Sequence, residues 1–282
     1  GLVISWDQGK YGGTIIGKAA LHYAPRGPLA MRDGDAVVGG GTVAAFALPV
    51  SGDSFTGRAA LGATAVTWRA EGGVRVNFDA APAKFELIRQ DAVTPVIIND
   101  IVGQLDLRDG WGVTATLSGG QVLDQQVTVS GLKGKVDVSG RNGALNGKLT
   151  GVSLKVADPM TEEKRRYEPA TFEGQATLKG DDAKFDGLFT LDGPGVQIAT
   201  VSGTHSLKTA EGALTFAPTP LIFRPRGFQP SALSPLLRGP ANVTGRMDIS
   251  GGASWSSKGL EARALVDMQK IGFTLASVGV FE

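Results

Sequence analysis

The chain has 282 residues, a net charge of +1 and 41 glycines, a balance with neither the charge excess nor the apolar poverty of a disordered segment. Lys, Arg, Asp and Glu are interspersed, so no single-sign field points to nucleic acid as a partner. The absence of cysteine removes disulfides, thiolate metal sites and cysteine nucleophiles together, and it suits an oxidising periplasm.

The apolar residues, 42% of the chain and mostly Val, Ala and Leu, recur at every second position in short runs closed by Gly, Asn or Asp. That is the period of strands, so the chain reads as β almost throughout. The opening run Leu2 to Trp6 is too short for a signal peptide or a membrane-spanning helix. His22 stands before a Pro25-Arg26-Gly27-Pro28 loop. Gly39-Gly40-Gly41 follows Val37 and Val38 with no helix pattern and no Lys-Ser/Thr behind it, which predicts a flexible turn or bulge and not a phosphate cradle. From Ala81 to Val102 the alternation breaks at Pro82 and Pro95, and a short helical turn is expected around Phe85 to Arg89.

Alternation is cleanest in the middle of the chain. Ile101, Gly103, Leu105 and Leu107 share one face of a strand whose other face carries Asp100, Val102, Gln104, Asp106 and Arg108. Asp109-Gly110 supplies a two-residue turn, and Trp111, Val113, Ala115 and Leu117 return on the apolar side. The same grammar gives Val127 to Val129, then Val136 and Val138 before Arg141-Asn142-Gly143. Leu145, Gly147 and Leu149 follow, and then Val152, Leu154 and Val156. Asp158 to Pro169, with Glu162, Glu163, Lys164, Arg165 and Arg166, predicts a charged surface loop.

Alternation resumes with Phe172, Gly174, Ala176 and Leu178, turns at Gly180-Asp181-Asp182, and returns with Phe185, Gly187, Phe189 and Leu191. Val201, Gly203, His205 and Leu207 precede Leu214 and Phe216. Phe228 to Gly239 reads as a Ser-capped turn of helix over Ala232 to Leu237. Val243, Gly245, Met247 and Ile249, then Leu260 to Met268, complete about twenty strands. Val278 to Glu282 reads as the start of another strand, so residues 1–282 are expected to be part of one elongated β region truncated at both ends.

Catalytic apparatus is not visible. His22 and His205 have no partner motif, and there is no zinc signature, P-loop or Gly-x-Ser-x-Gly elbow. Neither a metal nor a cofactor is called for, and the expectation is a protein that is not an enzyme.

One segment carries a family likeness. The run Phe228-Gln229-Pro230-Ser231-Ala232-Leu233-Ser234-Pro235-Leu236-Leu237-Arg238-Gly239, then Val243-Thr244-Gly245-Arg246-Met247-Asp248-Ile249-Ser250-Gly251, Ala253-Ser254-Trp255 and Gly259-Leu260, resembles the YdbH family of the AsmA-like group that includes TamB. The match covers residues 221–282, in a stretch that stands before the family's C-terminal domain. The resemblance implies a periplasmic protein anchored in the inner membrane outside this chain, with a long U-shaped apolar groove that carries phospholipid between the inner and outer membranes. It also implies a small outer-membrane lipoprotein partner that extends the sheet, and a part in outer-membrane integrity.

The residues agree with such a trough on their own terms. About twenty strands at about 4.8 Å each would make a sheet roughly 90 to 100 Å long. About thirty methylenes of a phospholipid would lose on the order of 25 kcal/mol crossing water bare, and a continuous apolar face removes most of that barrier. The expected lipid-facing residues are Leu105, Leu107, Val113, Leu117, Val136, Val138, Leu149, Val152, Leu154, Val156, Leu178, Phe189, Leu191, Val243, Met247 and Ile249. The alternative is a secreted or periplasmic β-solenoid or adhesin-like module with a dry core, although no period of about 20 to 30 residues is visible. Three Tyr and four Trp are too few for the girdles of a membrane barrel, and a carbohydrate-active enzyme lacks paired carboxylates on strands.

Overall fold

A computed structural model describes residues 2–6, 13–17, 23–25, 31–44, 46–52, 55–80, 83–89, 92–108, 110–123, 127–141, 144–206, 208–209, 211–256 and 259–275. Ten strands form the first third: β1 (Leu2–Trp6), β2 (Gly13–Gly17), β3 (Tyr23–Pro25), β4 (Met31–Asp33), β5 (Ala36–Val43), β6 (Phe46–Gly52), β7 (Phe55–Leu61), β8 (Thr64–Ala70), β9 (Val74–Ala80) and β10 (Ala83–Arg89). Longer strands follow: β11 (Ala92–Asp106), β12 (Trp111–Leu123), β13 (Thr128–Arg141), β14 (Ala144–Ala157), β15 (Ala170–Lys179), β16 (Asp182–Leu191), β17 (Gln197–Ser206) and β18 (Glu211–Pro218). The last three are β19 (Leu221–Phe223), β20 (Pro240–Ser256) and β21 (Gly259–Leu275).

All belong to one open, curved antiparallel sheet, so the chain is all-β as its alternation predicts. The antiparallel pairing sets it apart from a solenoid, whose stacked coils pair in parallel. From β11 to β18 each strand pairs with the next in sequence. Gly180-Asp181 closes the β15–β16 hairpin as a two-residue turn, with Gly180 at φ 61° as that turn requires, whereas the last β11–β12 pair, Asp106 opposite Gly112, is out of register with the two-residue turn expected at Asp109-Gly110. Asp109 and Asn142-Gly143 lie outside the described residues, but pairing of Arg141 with Ala144 frames the second of these turns.

The first third is branched. β11 pairs along Ala92–Ile98 with β10 and along Ile101–Asp106 with β9, on the same edge. One branch runs β10, β7, β6, β2, β1, and the other runs β9, β8, β5 with β3 and β4 beyond. Because the branches lie side by side, the longest path crosses fifteen strands, about 67 Å and not the 90 to 100 Å expected from stacking every strand. The helical turn expected at Phe85 to Arg89 is instead part of β10, where pairing to both β7 and β11 overrides the local break near Pro82. Gly39-Gly40-Gly41 is neither turn nor bulge but the middle of β5, held between β8 and the short strands beyond it.

Strands β12 to β14 bend where Gly119, Gly131 and Gly151 take φ near +60°, with register slips on β13 and β14. Each extra residue returns the alternation to the same face, so Leu149 and Val152 share a side although three positions apart. The runs ending at Leu149 and starting at Val152 are therefore one strand.

The accessible surface is 17569 Å², against roughly 11,400 Å² for a compact monomer of 29.1 kDa. Most of the apolar content does not enter a closed core. Among the described residues the buried cluster is small: Leu221, Phe223 and Val243, with Ile198, Phe228, Leu233, Met247 and Ile249 packed against it. Two short 3₁₀ turns, Pro230–Ala232 and Pro235–Leu237, sit above it in place of the single helical turn predicted; Ser234 caps the second by accepting from the Leu236 N–H.

Candidate functional site: an uncovered apolar face

Cross-strand partners in a sheet point to the same side, so the register places side chains on faces without ambiguity. One row runs Gly41, Val66, Phe78, Gly103, Ala115, Val136, Leu149, Ala176, Phe185, Gly203, Leu214, Ala253 and Ala262. Thirteen strands contribute no hydrogen-bonding side chain to this row, over about 58 Å. Beside it, Val76, Leu105, Val113, Val138, Gly147 and Leu178 form a second row, and Ile101, Leu117, Gly134, Val152, Gly174, Gly187, Val201 and Phe216 a third. Past the bend, Val156 faces Val129 and Ala170, and Leu154 faces Phe172 and then Phe189.

The face is paved. Phe78 lies opposite Gly103, Phe185 opposite Gly203, Phe216 opposite Gly251, Trp68 opposite Gly39, Trp111 opposite Gly140 and Trp255 opposite Gly212. Each ring leans over the glycine, where a Cβ would collide with it; on Gly103 it would stand 2.7 Å from Phe78 Cζ. Phe172 likewise covers Gly174 and Gly187 and meets the Phe189 ring at 5.1 Å. Rings laid flat keep the apolar face low and continuous. This pairing of aromatic with glycine was missed by alternation alone, although both residue types were visible in the sequence.

Of the predicted lipid-facing residues, Leu105, Val113, Leu117, Val136, Val138, Leu149, Leu154, Val156, Leu178 and Phe189 are only part-buried on this face. Leu107 lies just past the end of β11 and is exposed. Val152 is buried among its neighbours. Leu191 (2% exposed) and Val243 (4% exposed) are closed off, and Met247 and Ile249 pack on the buried cluster, so these four lie in a core and not on the open face.

The physical reason is a cap. The 158–169 loop docks on the 3₁₀ segment: the Glu168 N–H donates to the Leu233 carbonyl at 2.9 Å and the Ser234 hydroxyl to the Arg166 carbonyl. Asp158 is buried at the loop's base, accepting from the Arg166 backbone at 2.7 Å, Arg166 Nε at 2.8 Å and the Met160 N–H at 3.0 Å. The Arg166 guanidinium holds this carboxyl far below the usual carboxylate range, against the opposing effect of burial. The loop is thus partly internal at Asp158, Arg165, Tyr167, Glu168 and Pro169, while Pro159 to Lys164 and Arg166 keep the solvated character expected of the whole.

The opposite face is polar, row for row. Thr67, Asn77, Gln104, Thr114, Asp137, Lys148, Thr177, Lys184 and Thr204 stand beside the first apolar row. A hollow of about 1110 Å³ opens on this side over β5 to β14, and one of about 780 Å³ over β13 to β18. Both of these hollows open on the polar side and not over the apolar rows. In the larger one Gln104 Nε2 donates to Asn77 Oδ1 at 2.7 Å and Asn77 Nδ2 to Thr67 Oγ1 at 3.3 Å, so the polar groups serve one another.

His205 and Thr64 are polar side chains on the apolar side: His205 Nδ1 accepts the Trp255 indole N–H at 3.1 Å, and the Thr64 hydroxyl donates to the Gly62 carbonyl at 3.0 Å. His22 lies outside the described residues. No cluster of metal-ligating side chains and no membrane-crossing helix occurs among the described residues. No protein family, curated protein or solved structure matches the chain.

Proposed function

We propose that this chain is a non-catalytic segment of a lipid-conducting groove, in which phospholipid acyl chains lie on the apolar face and pass from strand to strand. The observation that carries the proposal is the first apolar row, unbroken from β5 to β21, with a covering cap confined to one margin. A packed layer would bury such a row, whereas its side chains here remain part-exposed. Acyl chains fit this surface because they need contact without directional partners, and replaceable Val, Leu, Ala and Phe provide that. The likeness of residues 221–282 to the YdbH family supports placing the parent in a Gram-negative periplasm, anchored in the inner membrane and carrying phospholipid toward the outer membrane with a sheet-extending lipoprotein as partner.

The test is organic extraction of the purified chain followed by mass spectrometry. The expected outcome is co-purified phospholipid. A lipid-free, monodisperse chain with its apolar face still accessible to a hydrophobic dye would refute the proposal.

A further inference from the structure

We propose that the apolar face has a headgroup side, marked by Trp68, Trp111, Trp255 and His205, so that bound phospholipids lie in one orientation. The inference rests on the lipid reading above and adds direction to it.

The register puts Trp68, His205 and Trp255 on the row that contains Leu105, Val113, Val138 and Leu178. Trp111, opposite Gly140, stands one inward-facing position further out on the same side. All four therefore lie toward the margin formed by the turns after β8, β11, β13, β15, β17 and β20. Toward the other margin the rows hold Thr64, Ile101, Leu117, Val152, Val201 and Phe216, then Val129, Val156 and Leu154, with no tryptophan among them, and Thr64 spends its hydroxyl on the Gly62 carbonyl at 3.0 Å. That second margin is where Phe228 and Leu233 pack over Leu221, Phe223 and Val243, with the 158–169 loop bonded to this segment through the Glu168 N–H and to the end of β16 through the Pro169 carbonyl.

Polarity thus falls from one margin to the other. Indole rings combine an apolar body with an N–H and settle where hydrocarbon meets water, the level of lipid headgroups and glycerol esters. His205 adds a directed donor. With Nδ1 accepting from Trp255, the neutral ring carries its proton on Nε2, where it can be given to an ester carbonyl or phosphate oxygen. At the same margin but on the opposite, polar face, the Arg75 and Arg108 guanidinium groups converge on Asp106 at 3.4 and 2.5 Å, and Arg69 bridges Asp33 and Glu71 at 2.6 and 3.0 Å. On the apolar face itself the rows toward the capped margin end in Val129, Val156 and Leu154, hydrocarbon suited to chain ends.

The tryptophans themselves report the orientation. In a Trp6→Phe background, which leaves Trp68, Trp111 and Trp255 as the reporters, the chain is loaded with phosphatidylcholine and fluorescence is recorded. Part of the lipid carries a nitroxide on the headgroup, on an acyl carbon near the ester, or near the chain methyl. The headgroup label is expected to quench at least about twofold more than the label near the methyl. Stronger quenching by the deep label reverses the orientation, and equal quenching by all three removes it; either result overturns the inference and leaves lipid binding intact. Absence of quenching with lipid counted on the protein by mass spectrometry places the lipid elsewhere and also overturns it. If no lipid is retained, the lipid reading itself fails.

Discussion

Ala176 and Thr177 are neighbours on β15 that face opposite ways, and the same substitution at each separates an open apolar face from a packed core. Ala176 stands between Leu149 and Phe185, whereas Thr177 stands between Lys148 and Lys184. In Thr177→Asp the new carboxylate has a lysine on either side, and cross-strand opposite charges contribute about 0.2–1 kcal/mol each, so stability should hold or rise slightly. In Ala176→Asp an open face leaves the carboxylate hydrated, and the cost is that of poor strand propensity, about 1 kcal/mol or about 2–4 °C in Tm. Beneath acyl chains the least costly state is the neutral acid. Protonating at pH 7 a group of pKa about 3.9 takes about 4 kcal/mol, close to a thousandfold in affinity at that rung. Thermal unfolding and native mass spectrometry should therefore find Ala176→Asp folded but depleted of lipid at pH 7, with lipid regained near pH 4. An unfolded Ala176→Asp would mean a covered face, and undiminished lipid at pH 7 would mean that lipid does not use this face.

Two further outcomes follow from local geometry. In Gly187→Ala the added Cβ would stand 2.5 Å from both the Phe172 ring and the Glu173 carbonyl oxygen, so a loss of about 1–3 kcal/mol is expected in denaturant titration. In Gly112→Ala the nearest atom is 3.9 Å away, and the change should be neutral or stabilising. The Asp158 carboxylate is held ionised by Arg166, so its folded pKa lies below its unfolded one. Its stabilising effect is complete above the unfolded value of about 4 and is lost as pH falls through the depressed folded value. Hydrogen exchange of the Met160 and Arg166 amides should accelerate below about pH 4, and Asp158→Asn should flatten that dependence. Unchanged protection across this range would refute the anchoring role.

Alternation was enough to read the class of fold and the sidedness of nearly every strand from β11 to β18, because a period of two is a property of the residues themselves. Leu105, Val113 and Val138 fall into one cross-strand row as each strand's own pattern requires. The branching at β11 was not legible, since nothing in Ala92–Asp106 says that its halves meet different neighbours. The bend was hidden for a related reason: Gly151 reads as the end of a run until the continuing pairing of Val152 with Gly174 shows the strand carrying on. Leu191 and Val243 alternate like the open positions, and only the docking of a loop and a 3₁₀ segment distant in sequence closes them off.

Glycine content follows from the same uncovered face. In a two-layer β protein, aromatic side chains project into the opposing layer and interdigitate with it. Among the described residues no such layer covers Phe78, Phe185, Phe216, Trp68 and Trp255, and each finds its apolar contact by lying across a strand to the residue opposite. Only glycine leaves that space, which couples the two residue types through the sheet and not along the chain. A surface assembled in this way presents ring faces and backbone where a packed sheet would present protruding side chains. It is smooth along the direction in which the strands succeed one another, so a sliding hydrocarbon chain meets no deep niche that would hold it. Under the proposed function the lack of sharp motifs has a plain cause: a hydrocarbon chain needs contact and not a directional partner.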